Sequence, residues 1–236
     1  MNTDEPLPAP GLPASVEAVL LDAGGVLIDL DYGYLRRLIE PVHRDVPESE
    51  LSHAESLARK EINRSVGDDG KVAHLWREYF HIILGHVGVL GDRHPALIDS
   101  LWHAHQRVGL WTVAAQGALQ AVSELRRRGF RLGVVSNAEG TVARNLDDAG
   151  FTGAFDTVVD SHLVGVLKPD PAIFHIALER MSLKADRAVF VGDMPEIDVK
   201  GAEAAGIVPI LLDRHDLYAE VPSARIRSLD ELSGLL

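Results

Sequence analysis

The stretch Val19-Leu20-Leu21-Asp22-Ala23-Gly24-Gly25-Val26-Leu27-Ile28-Asp29 decides the fold of this chain. An apolar run bounded by glycines reads as a buried strand, and this one delivers a carboxylate, Asp22, to its C-terminal end. In open α/β sheets that edge is where ligands bind. Three later segments repeat the design. They are Leu132-Gly133-Val134-Val135-Ser136-Asn137, then Lys168-Pro169-Asp170, then Val189-Phe190-Val191-Gly192-Asp193 with Asp198 shortly after.

Further apolar runs place parallel strands at Ala18–Leu21, Arg131–Val135, Thr157–Val159, Ala188–Val191 and Val208–Leu212. Helical patterns separate them. Gly117–Arg128 stops at Gly129 and Thr141–Ala149 stops at Gly150, each a good C-terminal signal. A further helix opens with Pro171 behind Asp170 as its N-cap, and Ile173, Phe174, Ala177, Leu178 and Met181 fall on one face of it. Strands alternating with helices imply right-handed crossovers and a parallel sheet. The fold class is therefore α/β, a Rossmann-like parallel sheet flanked by helices.

Between the first two strands lies a long region without a convincing strand. It carries helical patterns at Tyr34–Ile39, Ser49–Val66, Val72–Leu84 and Pro95–Val108. An insertion of this length is not a plain loop. The chain divides into a core of residues 14–30 and 113–236, an α-helical insert of residues 31–112, and a polar, proline-rich stretch of residues 1–13 that reads as a disordered tail without a signal pattern.

Composition narrows the function classes. The 236 residues are 46% apolar and 25% charged, ordinary for a soluble globular protein, and suffice for a proper core. A formal net charge of -12 argues against a nucleic-acid partner, which favours a basic face. There is no cysteine, hence no disulfide and no thiolate zinc site, which fits a reducing cytoplasm. No apolar stretch approaches a membrane span.

The four polar strand ends supply the chemistry. A carboxylate such as Asp22 can attack a phosphoryl phosphorus and divide one difficult hydrolysis into two easier steps. At a strand end the same residue also serves as a simple cap. Asp193 and Asp198 form a second acidic cluster, suited either to a magnesium ion or to the start of a helix. Ser136 and Asn137 suit a phosphoryl oxygen as well as plain turn chemistry. Lys168 is one of only five lysines among 23 basic residues, so its place before Pro169-Asp170-Pro171 is unlike random surface.

In this order the four segments resemble the motifs of the haloacid dehalogenase-like (HAD) hydrolase superfamily, over nearly the whole chain from about Val16 onward. The resemblance implies a phosphatase of a small phosphorylated metabolite. Asp22 would be the nucleophile and Lys168 the residue stabilising it and the developing charge. Ser136, Asn137 and Lys168 would hold the phosphate, and Mg²⁺ would rest on Asp22, the backbone carbonyl of Gly24, and Asp193. Asp198 would stand in the innermost or next layer around the ion. The insert would be a cap closing over the site.

One position departs from the phosphatase pattern. The family's second Asp, two residues after the nucleophile, is here Gly24. That Asp protonates the leaving alkoxide, and such help is worth ~10²–10⁴-fold. Four readings of Gly24 stand open: a substrate with a good leaving group, such as an aryl or acyl phosphate; a proton from elsewhere, for instance a histidine of the insert; a non-catalytic protein that binds metal or phosphate; or different chemistry. Asp22-Ala23-Gly24-Gly25 also resembles the first motif of 2-haloacid dehalogenases, but Gly192-Asp193 keeps the metal-binding form. A phosphonatase would need a Schiff-base lysine in the insert, where Lys60 and Lys71 are available. Eight of the eleven histidines fall in the insert, without a compact metal spacing; His74 and His81 share one helical face. Tyr32 and Tyr34 fit core packing there, and Asp29 and Asp31 shape the turn into it.

Overall fold

The computed structural model describes residues 12–13, 15–65, 75–89 and 93–236. Residues 1–11, Lys71 and His74 lie outside them. Among the described residues, strands numbered in chain order are β1 (Ala18–Leu21), β2 (Ile28–Leu30), β3 (Trp111–Ala114), β4 (Arg131–Ser136), β5 (Thr157–Asp160), β6 (Ala188–Gly192), β7 (Val208–Leu212) and β8 (Ala224–Ile226). Six of them form one sheet in the order β5-β4-β1-β6-β7-β8, with every neighbour parallel.

The sheet follows from the alternation of side chains along each strand. In β1, Val19 and Leu21 pack with Val134, Val189 and Val191 on one face. Ala18 and Leu20 pack with Val135, Phe174 and Phe190 on the other. All four β1 residues are fully buried, as in a parallel sheet covered by helices on both sides. The covering helices include α5 (Ala118–Arg127) on one face and α7 (Pro171–Arg180) on the other, the latter capped as foreseen by Asp170 accepting from the Ala172 amide. Leu21 pairs with Val134 on one side and Val191 on the other, and the strand order reverses beside β1, with β4 and β5 to one side and β6 to β8 to the other, the place where open α/β sheets form a crevice.

The insert contains α1 (Tyr32–Ile39), α2 (Glu48–Ser65), α3 (Leu75–His86) and α4 (Arg93–Val108). The Asp31 carboxylate accepts from the Tyr34 amide at 2.7 Å and caps α1. Leu51, Ala54, Ala58 and Ile62 form one face of α2 and meet Leu35, Phe80, Ile83 and Leu101 in a core separate from those of the sheet.

Three elements were not expected from the sequence. The strands β2 and β3 pair antiparallel as a ribbon at the two ends of the insert, and β8 extends the main sheet by one edge strand. All are short and each has a single partner strand. The helix expected over Thr141–Ala149 is also shorter. α6 (Val142–Leu146) gives way to a wider turn through Phe151, with Gly150 at φ 96°.

Candidate active site

Asp22 follows β1, Ser136 ends β4, and Asp193 follows β6; with Lys168 they line one cavity of about 560 Å³. Its opposite wall comes from the insert, through Arg59, Trp76, Tyr79, His105 and, from the ribbon, Trp111. The structure thus brings together Asp22, Gly24, Ser136, Asn137, Lys168, Asp193 and Asp198, the residues the four motifs supply.

Lys168 is the centre of the charge arrangement. It is only 1% exposed, and its Nζ lies 2.9 Å from Asp22 Oδ1 and 2.7 Å from Asp198 Oδ1. Burial pushes the ammonium down, but Asp198 and Asp22 outweigh that and leave it above its ordinary range. Its backbone is held just as firmly. Asn137 Oδ1 accepts from the Lys168 amide at 2.7 Å, and Asn137 Nδ2 donates to the Lys168 carbonyl at 3.0 Å. Both ends of the Asn137 side chain are therefore occupied in positioning Lys168.

Asp198 has no idle oxygen. Oδ1 meets Lys168, and Oδ2 accepts from the amides of Asp193 and Met194 at 3.0 and 2.9 Å. It folds the loop that presents Asp193. A Cβ on Gly192 would lie 2.4 Å from Asp198 Cβ, which is why glycine precedes Asp193. Asp193 is different: Oδ1 is buried without a partner, while Oδ2 accepts from Arg59 Nη1 at 2.5 Å. Burial pushes the Asp193 carboxyl up to about 7 against the pull of Arg59, with Asp198 and Asp22 adding to the rise.

Ser136 is buried at the cavity floor. The loop after it is fastened by Asp160, whose carboxylate accepts from the amides of Gly140, Val142 and His162, and by the Ser161 hydroxyl, which bridges Ala138. The first amide of α6 is thereby already satisfied by Asp160.

Arg59 is a site residue that sequence reading did not find. Besides Asp193, its guanidinium donates to Glu55 Oε1 at 2.6 Å. Glu55 also accepts from the hydroxyls of Tyr32 and Tyr79. Burial pushes the Glu55 carboxyl up, yet Arg59 and the two tyrosines bring it below its usual range. The guanidinium occupies the space beside Gly25, whose φ is 78° and whose added Cβ would meet Arg59 Nη1 at 2.3 Å.

Gly24 is free of such constraints. Its φ is not positive, and an added Cβ would sit 3.5 Å from Cδ1 of Trp111. The indole of Trp111 therefore stands in ordinary contact with the point from which a side chain at this position would start. Trp111 belongs to a continuous aromatic group with Tyr79, Phe80 and His105, and His105 in turn stacks on Trp76. Of the histidines, His105 alone among the described residues of the insert lines this cavity. His81 and His94 stack on each other elsewhere, at 4.4 Å.

A family model for haloacid dehalogenase-like hydrolases matches residues 16–206. Phosphoserine phosphatase of Thermus thermophilus is 33% identical over 146 residues, covering 61% of this chain and 57% of that protein. Glyceraldehyde 3-phosphate phosphatase of Methanopyrus kandleri is 31% identical over 138 residues, 58% of each chain. The chain thus spans less than two thirds of the length of these two relatives. Phosphoglycolate phosphatase of Rhodospirillum rubrum is 29% identical over 216 residues, 90% of this chain and 85% of that one. Among solved structures, the HAD-hydrolase YfnB of Bacillus subtilis bound to magnesium has a TM-score of 0.71 at 22% identity, covering 94% of this chain and 99% of that one. An L-2-haloacid dehalogenase of Xanthobacter autotrophicus has a TM-score of 0.65 at 20% identity, covering 93% and 98%. At these identities the structural likeness is one of fold.

Proposed function

The chain belongs to the haloacid dehalogenase-like hydrolases, and from that premise we propose that it is a Mg²⁺-dependent phosphatase of a small phosphorylated metabolite, with Asp22 as nucleophile. The observation that carries this reading is the convergence of Asp22, Asp193 and Asp198, each with an oxygen within 4.8 Å of the others, around the buried Lys168. Phosphatases among the relatives support it.

The donor set suits magnesium, which takes a few hard oxygens and keeps several waters. The unpartnered Asp193 Oδ1 is an oxygen left over by the protein itself. Asp22, the Gly24 carbonyl and Asp193 would hold the ion, with Asp198 supporting from behind. Once bound, the ion offsets the repulsion between carboxylate and phosphate. The protein's own groups do the rest. Lys168 holds the attacking carboxylate and meets charge growing on the equatorial oxygens. The Ser136 hydroxyl and neighbouring amides receive a phosphoryl oxygen. An Asp22 oxygen attacks phosphorus, and water then cleaves the aspartyl-phosphate. We place the reaction in the cytoplasm, in line with the lack of cysteine and of any helix among the described residues long and apolar enough to cross a membrane.

Arg59 favours a second reading. With Lys168 it sets two cations against the three carboxylates, a balance that also suits metal-free attack on carbon, as in a dehalogenase. One experiment separates the two. Phosphate release is followed for sugar, acyl and aryl phosphates, with Mg²⁺ and with a chelator, alongside halide release from 2-haloacids. The phosphatase reading expects Mg²⁺-dependent phosphate release that Asp22→Asn reduces to background. Full activity in Asp22→Asn, or halide release indifferent to chelator, overturns it.

A further inference from the structure

The substrate's leaving group must lie against whatever lines the cavity beyond Asp22, and that lining is aromatic. Trp111 abuts Gly24. Tyr79 lies 5.9 Å from Trp111 between ring centres, His105 stands edge-on to Trp111 at 5.6 Å, and Trp76 stacks on His105 at 5.3 Å. These four rings line the cavity. Flat aromatic surfaces favour a flat partner through offset or edge-on stacking.

Two further observations point to a ligand there. First, Trp76 Nε1 and His105 Nδ1 are buried without hydrogen-bond partners, and both residues line the cavity. Buried polar atoms of native proteins are rarely left unpaired, and the indole N–H is a donor only. Second, the position two residues after Asp22 is Gly24, with the Trp111 indole beside it, so that position offers the leaving oxygen no acid. The acid of the lining beyond Asp22, Asp193 and Asp198 is Glu139, which is engaged with His105 Nε2 at 3.0 Å. Departure without a proton demands an oxygen stable as an anion. A phenol ionises near pH 10, about six units below water.

We infer that the site takes aryl phosphate monoesters, the ring resting against Trp111, Tyr79 and Trp76 and carrying a polar group at its outer edge toward Trp76 Nε1 and His105 Nδ1. This rests on the phosphatase reading. An Asp22 oxygen bonds to phosphorus as the bond from phosphorus to the aryl oxygen breaks, and the electron pair leaves on that oxygen as an aryl oxide. Water attacks the aspartyl-phosphate at phosphorus, restoring the carboxylate. The proton that water sheds neutralises the aryl oxide, so phenol and hydrogen phosphate are the products. Trp111 acts here as a specificity residue, selecting the leaving group by stacking.

The test uses the full chain with Mg²⁺. Phenyl and cyclohexyl phosphate are compared as substrates, and phenylphosphonate, cyclohexylphosphonate and 4-carbamoylphenylphosphonate as ligands. Binding is read from tryptophan fluorescence, because the chain has three tryptophans and two of them, Trp76 and Trp111, line the cavity. The expected kcat/KM for phenyl phosphate exceeds that for the cyclohexyl ester by about 10²–10⁴-fold. Phenylphosphonate binds about 2- to 10-fold tighter than cyclohexylphosphonate, the carbamoyl compound binds tighter still, and Trp111→Leu removes the preference for the ring. If Trp111→Leu does not fold, the wild-type binding ratio decides alone. Release from both esters at equal kcat/KM, or equal binding of the ring and the saturated analogue, overturns this inference and leaves the phosphatase reading standing. Release from neither ester nor from an acyl phosphate overturns both.

Discussion

Arg59 Nη1 donates to Asp193 Oδ2 at 2.5 Å across 134 positions of sequence, tying the helical insert to the acidic end of the sheet. The guanidinium is oriented from behind by Glu55, itself fixed by Tyr32 and Tyr79. A divalent ion bound to Asp193 has to share the carboxylate with this cation or displace it.

Replacing Arg59 by methionine should therefore strengthen Mg²⁺ binding. Two unit positive charges about 4 Å apart repel by about 4 kcal/mol at an effective dielectric of 20, and a divalent ion about doubles this; solvent and relaxation leave a fraction. A gain in affinity on the order of 10-fold is the expected outcome, measured by calorimetric titration of the metal-free protein. Unchanged or weaker binding would show that Arg59 and the ion do not compete.

Lys168→Met should lower stability, apart from any effect on rate. It leaves Asp22 and Asp198 facing each other without their shared cation, and breaking a buried pair in this way costs about 3–5 kcal/mol. Urea unfolding monitored by circular dichroism measures it. A loss below about 1 kcal/mol would mean that the carboxylates shed their charge at little cost.

Gly24→Asp tests what the indole does. The substitution needs no unusual backbone, and the new Cβ makes ordinary contact with Trp111. The single variant should fold yet gain little on alkyl phosphates, because its carboxylate competes with the indole for space. Combined with Trp111→Leu, alkyl turnover should rise by up to ~10²–10⁴-fold. Steady-state rates of the two singles and the double expose this coupling as a departure from additivity; strictly additive effects would refute it.

Acid should weaken the insert through His94. Burial and then the stacked His81 hold its imidazole below the ordinary value. His94 is thus neutral in the fold and has an ordinary pKa near 6.5 when unfolded. Its contribution to stability is complete above pH 6.5 and is lost as pH falls toward and through the lowered folded value. The loss approaches ~1.4 kcal/mol per pH unit between the two. His94→Phe keeps the stacking without the charge, so its melting temperature should fall less between pH 7 and pH 5. Parallel acid losses in both proteins would exclude this origin.

The sheet was legible because its four inner strands and the edge strand β5 are apolar runs. The bounds of β1 and β7 follow from sequence to the residue. The clustering of Asp22, Ser136 and Asp193 was legible for the same reason, since parallel topology carries neighbouring strand ends to one edge; Lys168 reaches them from the loop before the helix Pro171–Arg180. The ribbon and β8 were not, being three- or four-residue segments with partly exposed residues. Arg59 was hidden by its surroundings in sequence. An arginine four residues after Glu55 on a helix reads as a surface pair, and only the third dimension brings Asp193 to it. Asn137 suits a phosphoryl oxygen as a short amide at a strand end, and the structure adds a contact the sequence does not show, its side chain bracing the Lys168 backbone.

The ribbon has a consequence for the history of the molecule. Ile28 pairs with Ala114, and Leu30 with Trp111, while the Asp31 amide donates to Leu110. The chain therefore leaves and re-enters the sheet-bearing half within one strand spacing, about 4.8 Å, like a garment held by a single buttonhole. Everything between those points can be lengthened, shortened or exchanged in descent without moving β1, β4 or β6. A junction of this kind separates the length of the insert from the placement of the sheet, and it stations Trp111 at the seam between the two.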